Sequence, residues 1–295
     1  MSSLSFYIVD VFGSKKYTGN PLAVVLSSPD LPSEQMQQIA LEMNYSETTF
    51  ILASSPQEKG FPVRIFTPTK EVPFAGHPTL GTAFIIKKIF NYQKTPILLH
   101  LQVGVIPVYS EKNKEGQEIL WMQQLAPQFG QSYPPAPIAT ALNLSSTDID
   151  THLPVQEVST GLPFLIVPLK SLRALKSACL QRELFYPVVQ KGQARALLLF
   201  CPESYSGQSH ISVRVFADYY GVPEDPATGS ANGCLAGYLV RHRYFGSANL
   251  NIKVDQGYEI NRPSLLYLRA SEKAQGEIEV EVGGLTFLIA RGELV

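Results

Sequence analysis

Two copies of one short pattern constrain this chain more than any other feature of its sequence. Val63-Arg64-Ile65-Phe66 followed by Val72-Pro73 matches Val213-Arg214-Val215-Phe216 followed by Val222-Pro223, with the same spacing. Each copy then reaches a glycine at which a helical pattern opens, Gly76-His77-Pro78 in the first and Gly229-Ser230-Ala231 in the second. A chain of 295 residues also exceeds what one hydrophobic core usually organises. Echo and length together favour two related halves facing one another across a cleft.

Hydrophobic patterning fills in each half. Phe6 to Phe12 is rich in β-branched and aromatic residues and reads as a strand; Gly19-Asn20-Pro21 is a turn signal, and Leu22 to Leu26 resumes as a second strand. Met36, Ile39, Ala40 and Met43 recur at helical spacing, with Pro32 and Glu34 near the start. Ser46 to Leu52 then turns β-like, so Glu47 falls where a helix gives way to a strand. Val63 to Phe66 is another strand, followed by a buried helix running to Phe90 with Pro78 at its first position. Strands are expected within Ile97 to Val108 and at Ile119 to Met122. The proline-rich stretch from Ala126 to Pro137 is taken as the crossing between domains, because proline cannot pair in a sheet interior. Further strands are expected at Thr160 to Val167, Ala196 to Phe200, Leu265 to Leu268, Glu277 to Val282 and Phe287 to Ala290. The division is therefore 1–125 and 126–295, with the last C-terminal strand a candidate to join the N-terminal half.

Composition excludes several classes. Apolar residues make up 45% and charged residues 17%, an ordinary globular balance, and the net charge of −1 gives no broad positive stripe for nucleic acid. Arg241-His242-Arg243 reads as a solvated helix end, where cations suit the helix dipole. Cys179, Cys201 and Cys234 are an odd set without metal spacing, and reduced thiols in a cytoplasmic setting are the simpler reading. Met1 to Phe6 shows no secretory pattern, and no apolar run approaches the roughly 20 residues of a membrane helix. A soluble protein with no membrane or nucleic-acid partner is expected.

The chemistry begins at the two glycine-led helix starts. A helix N-terminus presents unpaired N–H groups and a partial positive charge, and glycine lets a ligand approach closely. Gly76 and Gly229 together would cradle an anion such as a carboxylate, although each alone is equally an ordinary cap. Beside them stand His77 and Asp225; each has a plain alternative, a structural histidine and a turn-forming aspartate before proline. Glu47 is equally a surface carboxylate on spacing alone.

These stretches resemble a known family. Asn44-Tyr45-Ser46-Glu47-Thr48-Thr49-Phe50, Arg64-Ile65-Phe66-Thr67-Pro68, Glu71-Val72-Pro73-Phe74-Ala75-Gly76-His77-Pro78 and Glu224-Asp225-Pro226-Ala227-Thr228-Gly229-Ser230-Ala231-Asn232-Gly233 are similar to the signatures of the PhzF family, the phenazine-biosynthesis isomerase and its relatives. Asp10-Val11-Phe12, Gly19-Asn20-Pro21 and Gln256-Gly257-Tyr258-Glu259-Ile260-Asn261-Arg262-Pro263-Ser264-Leu265 extend the likeness to both ends. The resemblance implies a diaminopimelate epimerase-like α+β fold of two pseudo-symmetric domains, each a curved sheet around a central helix. It also implies a homodimer and no cofactor; no metal is expected, since His77 has no second histidine at metal spacing. By motif, Glu47, His77 and Asp225 are the expected catalytic residues, and Gly76, Gly229, Ser230 and Asn20 the expected substrate-binding ones. Two-thiol racemases of the wider superfamily place cysteines at the helix starts; this chain has Gly76-His77 and Gly229-Ser230, and Cys234 lies a turn further in. Tyr45 stands where leucine is common in the family.

The expected function is cofactor-independent isomerisation of a small carboxylate-bearing substrate, cyclic or amino-acid-like, with Glu47 carrying the proton. Alternatives are a one-carboxylate amino-acid epimerase and a non-catalytic binding relative. The chain lacks a phosphate-binding loop and a dinucleotide glycine fingerprint. It has no G-x-S-x-G elbow at Ser230 and no second histidine at metal spacing from His77.

Overall fold

The computed structural model describes residues 3–295 and divides the chain into two compact units, Met1–Gln123 with Gly283–Val295, and Gln124–Val282. Unit 1 runs β1 (Leu4–Val11), β2 (Asn20–Leu26), α1 (Ser33–Met43), β3 (Thr48–Ile51), β4 (Phe61–Phe66), β5 (Glu71–Val72), α2 (Gly76–Ile89), β6 (Ile97–Leu101), β7 (Gly104–Lys112) and β8 (Glu118–Gln123). Unit 2 runs β9 (Gln128–Tyr133), α3 (Pro135–Ala141), β10 (Val155–Ser159), β11 (Pro163–Pro168), α4 (Leu172–Ser177), α5 (Arg182–Val189), β12 (Ala196–Cys201), β13 (Ile211–Ala217), β14 (Val222–Asp225), α6 (Gly229–Arg241), β15 (Asn249–Gln256), β16 (Ser264–Glu272) and β17 (Ile278–Gly284). The chain then returns to unit 1 with β18 (Thr286–Leu294), antiparallel to β1. None of the described helices is long and apolar enough to cross a membrane.

Each unit wraps strands around one buried helix. In unit 1, β1 and β2 are antiparallel, β2 and β3 parallel, β3 and β4 antiparallel, β4 and β6 parallel, and β6, β7 and β8 an antiparallel meander. Unit 2 repeats the order with β10, β11, β12, β13, β15 and β16. Ten of the fourteen residues of α2 are buried, so the helix is apolar nearly all round, as a helix enclosed by sheet must be. Gly81 sits where a side chain would meet Leu22, Val9 and Val11 at 2.5–3.1 Å, so its missing Cβ sets how closely α2 approaches β1 and β2. α6 is enclosed in the same way, with Cys234, Leu235, Tyr238 and Leu239 all buried.

Structure and sequence pattern differ in three places. Helix α2 begins at Gly76, two residues before Pro78, which still lies in the first turn where its missing N–H costs nothing. The proline-rich stretch is structured: Pro127 and Pro134 flank β9, which pairs with β10, and Pro135 starts α3. The prolines bound these elements and leave their interiors intact. The third difference concerns the echo itself.

Arg64 pairs in bidentate fashion with Glu71 at 2.7 and 2.6 Å, and Arg214 with Glu224 at 2.9 and 2.8 Å. Each guanidinium also lies over the phenylalanine two residues on, Phe66 at 5.0 Å and Phe216 at 4.8 Å. The arginines therefore correspond, but Glu71 precedes Val72-Pro73 whereas Glu224 follows Val222-Pro223. The structural repeat is Glu-x-Pro-x-x-Gly, Glu71 to Gly76 and Glu224 to Gly229; the Val-Pro match is out of register. A short turn of helix at Asp218–Tyr220 lengthens the second copy. A second repeat also emerges, Thr18-Gly19-Asn20-Pro21 leading into β2 and Thr160-Gly161-Leu162-Pro163 leading into β11.

The two ion pairs differ in burial. Side-chain exposure is 25% and 22% for Arg64 and Glu71, but 8% and 10% for Arg214 and Glu224. Arg214 additionally donates to the carbonyls of Leu175 and Ala178 at 2.9 and 2.7 Å. Removing one partner of a buried pair strands the other charge. Glu224→Ala is expected to cost about 3–5 kcal/mol, and Glu71→Ala up to about 1 kcal/mol, read from urea-denaturation midpoints. Equal losses in the two variants would contradict this account.

Candidate active site

In unit 1 the expected residues converge from three elements. Helix α1 ends at Asn44, whose left-handed φ of 52° turns the chain, and β3 begins at Thr48. Glu47 stands in that junction, on the loop between helix and strand. The pairing of Ala23 with Thr48 fixes β3 beside β2, and the Thr82 hydroxyl of α2 donates to Thr49 Oγ1 at 2.9 Å. Strand and helix are thereby held together one turn from His77, the second residue of α2. His77 Nε2 lies 3.4 Å from Glu47 Oε2, and their side chains are 6% and 19% exposed.

The His77 ring is neutral. Burial pushes its pKa down from 6.5 to about 3, against a smaller opposing effect from its hydrogen bond to the Pro21 carbonyl. Nε2 makes no hydrogen bond of normal geometry among the described residues, which leaves Nδ1–H as the donor to Pro21. A neutral imidazole with Nδ1 protonated carries a lone pair on Nε2. That lone pair faces Glu47. The pair is therefore suited to a proton carried on the carboxyl, not to a carboxylate–imidazolium ion pair. Asn20, next to Pro21, is buried at the start of β2.

The unit 2 residues form a second group. Asp225 is 8% exposed and accepts a short hydrogen bond from the Thr228 hydroxyl. Gly229 opens α6, and its carbonyl accepts from Gln124 Nε2 at 3.0 Å; Ser230, partly exposed, is the second residue of the helix. Neither α2 nor α6 is capped by the side chain of its preceding residue, Ala75 or Thr228, so their first backbone N–H groups suit an anion. Cys234 is fully buried and its thiol is pushed up to about 11, chiefly by burial, which leaves it a poor base. Sequence reading missed Thr228 and Gln256, which bond to the Asp225 segment from the loop and from β15. The Gln256-Gly257 motif was the available signal for one of them. No group of three His, Cys, Asp or Glu among the described residues is placed to hold a metal ion.

The phenazine biosynthesis-like protein family matches residues 9–292. The chain belongs to that family. The PhzF relative trans-2,3-dihydro-3-hydroxyanthranilate isomerase of Pseudomonas aeruginosa is 36% identical over 292 residues, 97% of this chain and 98% of its own length. The Bacillus anthracis phenazine biosynthesis protein of the PhzF family superposes with a TM-score of 0.91 at 26% identity, covering 100% of both chains. A probable proline racemase from Agrobacterium radiobacter K84 superposes with a TM-score of 0.65 at 9% identity, covering 99% of this chain and 93% of its own. That likeness concerns the fold alone. This PhzF family member has the diaminopimelate epimerase-like fold.

The depressed His77 pKa has a consequence for stability. The unfolded histidine takes up a proton below its ordinary value of 6.5, while the folded ring resists protonation down to about 3. Stability from the neutral ring is thus full above pH 6.5 and is lost as pH falls through the interval to 3. Compared with His77→Asn, the wild-type protein should lose on the order of a few kcal/mol more over that range. Urea titrations of both proteins at stepped pH measure the difference, and parallel curves would refute a neutral His77.

Proposed function

We propose that this PhzF-type isomerase moves a proton on a small, carboxylate-bearing substrate, with Glu47 as the sole proton carrier. The observation that carries the reading is the neutral His77 ring with its Nε2 lone pair 3.4 Å from the Glu47 carboxyl. In this role His77 accepts a hydrogen bond from Glu47 when the carboxyl holds the proton, and positions the group for transfer. Within unit 1 the start of α2 at Gly76, and within unit 2 Asp225, Ser230 and the start of α6 at Gly229, are the proposed binding groups for polar and anionic parts of the substrate. Asn20, beside the Pro21 carbonyl that fixes the His77 ring, is a further proposed substrate-binding residue.

Comparison of the two units supports a single carrier. Thr48 pairs with Ala23 and Phe66 in unit 1, as Leu197 pairs with Leu165 and Phe216 in unit 2. The residue before each is Glu47 in one and Ala196 in the other. Ser230 likewise stands in the place of His77. A racemase with two opposed bases needs a second proton-bearing side chain, and unit 2 has an alanine where symmetry would put it. One carboxyl that takes a proton and returns it to another atom of the substrate fits a hydrogen shift within one molecule.

The substrate of the Pseudomonas aeruginosa relative, trans-2,3-dihydro-3-hydroxyanthranilate, has the carboxylate and polar substituents this reading requires, and is the first compound to assay. Glu47→Gln should lower turnover by about 10²–10⁴-fold while leaving binding of the compound within a few-fold of wild type. In deuterated water the wild-type enzyme should wash label into a substrate carbon, and the variant should not. Full turnover by Glu47→Gln would remove Glu47 from the reaction. We further propose a homodimer, for which sedimentation of the full chain at twice the monomer mass is the expected result.

A further inference from the structure

Gln256 is the last residue of β15 and is completely buried, yet every polar atom of its amide is used. Its Nε2 donates to the Asp225 carbonyl at 2.8 Å and to Thr228 Oγ1 at 3.1 Å. Its Oε1 accepts from the Thr228 N–H at 3.2 Å and from Asn232 Nδ2 at 2.8 Å. Two donors and two acceptors are satisfied at once, and a carbonyl on one side with a backbone N–H on the other fixes which end of the amide is which. The four contacts span the segment from Asp225 to the first turn of α6.

The arrangement has a direction. Thr228 Oγ1 receives a hydrogen bond from Gln256, so its own hydrogen is turned toward the Asp225 carboxylate, to which it donates. The amide thus orients the hydroxyl, and the hydroxyl orients the carboxylate. Gly257 completes the clamp: its φ is +78°, and a Cβ there would meet the Pro226 carbonyl at 2.6 Å and the Arg262 carbonyl at 2.4 Å. Backbone and side chain of this pair grip both ends of Asp225-Pro226-Ala227-Thr228.

Unit 1 shows that the fold itself does not ask for this amide. Phe61 of β4 pairs with Leu99 of β6 as Ile211 of β13 pairs with Val254 of β15. Two residues on, Leu101 occupies the position of Gln256. A leucine closes the equivalent corner of unit 1, where Val72 stands in the place of Asp225. Burying an amide costs free energy unless all its hydrogen bonds are made, so its presence in one unit alone calls for a local role.

We infer that Gln256 is a positioning residue, which acts through Thr228 to set the Asp225 carboxylate for its substrate contact. The inference rests on the role of Asp225 given above. Full-length Gln256→Met, close in volume and without hydrogen bonds, is the test, with Gln256→Leu as a second variant that copies Leu101 of unit 1. Amide hydrogen exchange, measured without substrate, should speed up at least tenfold across residues 225–232 and stay unchanged in α2. The melting temperature should fall, because the partners of the amide are left unpaired, while the variants stay folded at the assay temperature and kcat on trans-2,3-dihydro-3-hydroxyanthranilate falls at least tenfold. Unchanged exchange at 225–232 in both variants overturns the inference, as does unchanged kcat where Asp225→Asn is impaired. An Asp225→Asn variant with full turnover would instead overturn the role of Asp225, leaving the exchange result to judge the clamp.

Discussion

A helix enclosed by strands has little free surface apart from its ends, and that constraint organises both units. Eleven of the thirteen residues of α6 are buried, and α2 is similarly enclosed. The sides of such helices are committed to packing, with Gly81 admitting β1 and β2 to close range. What remains is an N-terminus with backbone donors and a dipole that favours anions. In unit 2 a buried amide serves that end, Gln256 bonding to Thr228 and Asn232. The residues proposed for the chemistry stand at those ends.

The two units share a scaffold and differ in what they hang on it. Each has an arginine–glutamate fork, a Thr-Gly-x-Pro entry to its second strand and a Glu-x-Pro-x-x-Gly entry to its helix. Onto this frame unit 1 places a carboxyl and a neutral imidazole, and unit 2 places an aspartate held by a hydroxyl and an amide. The differences lie at positions the fold tolerates either way, shown by Ala196 opposite Glu47 and Leu101 opposite Gln256. Residues that repeat between units are accounted for by the fold; residues that break the repeat are the ones to question for function.

Much of this was legible in the sequence, for identifiable reasons. β1, β2 and β4 are short β-branched runs bounded by turn residues, and α1 shows a clean helical period. The motif residues gave the family and hence the fold. The proline-rich stretch lies beside the change of unit at Gln123–Gln124, and its prolines mark the edges of elements, bounding β9 and opening α3. The Val-Pro echo misled because a three-residue insertion at Asp218–Tyr220 happens to restore the spacing of an unrelated dipeptide. Short-range matching sees spacing, whereas the Arg64–Glu71 and Arg214–Glu224 pairs reveal which residues do the same job. The neutrality of His77 lay beyond any sequence reading, since it follows from burial, which outweighs the opposing hydrogen bond to the Pro21 carbonyl.

The strand at Thr286–Leu294 closes unit 1 along β1 although all of unit 2 separates the two in the chain. During synthesis, β1 therefore waits with one open edge while residues 124–282 emerge as one contiguous stretch. The half that holds Glu47 and His77 is the half whose sheet is finished last. A product cut short before residue 286 would present an unsatisfied β1 edge.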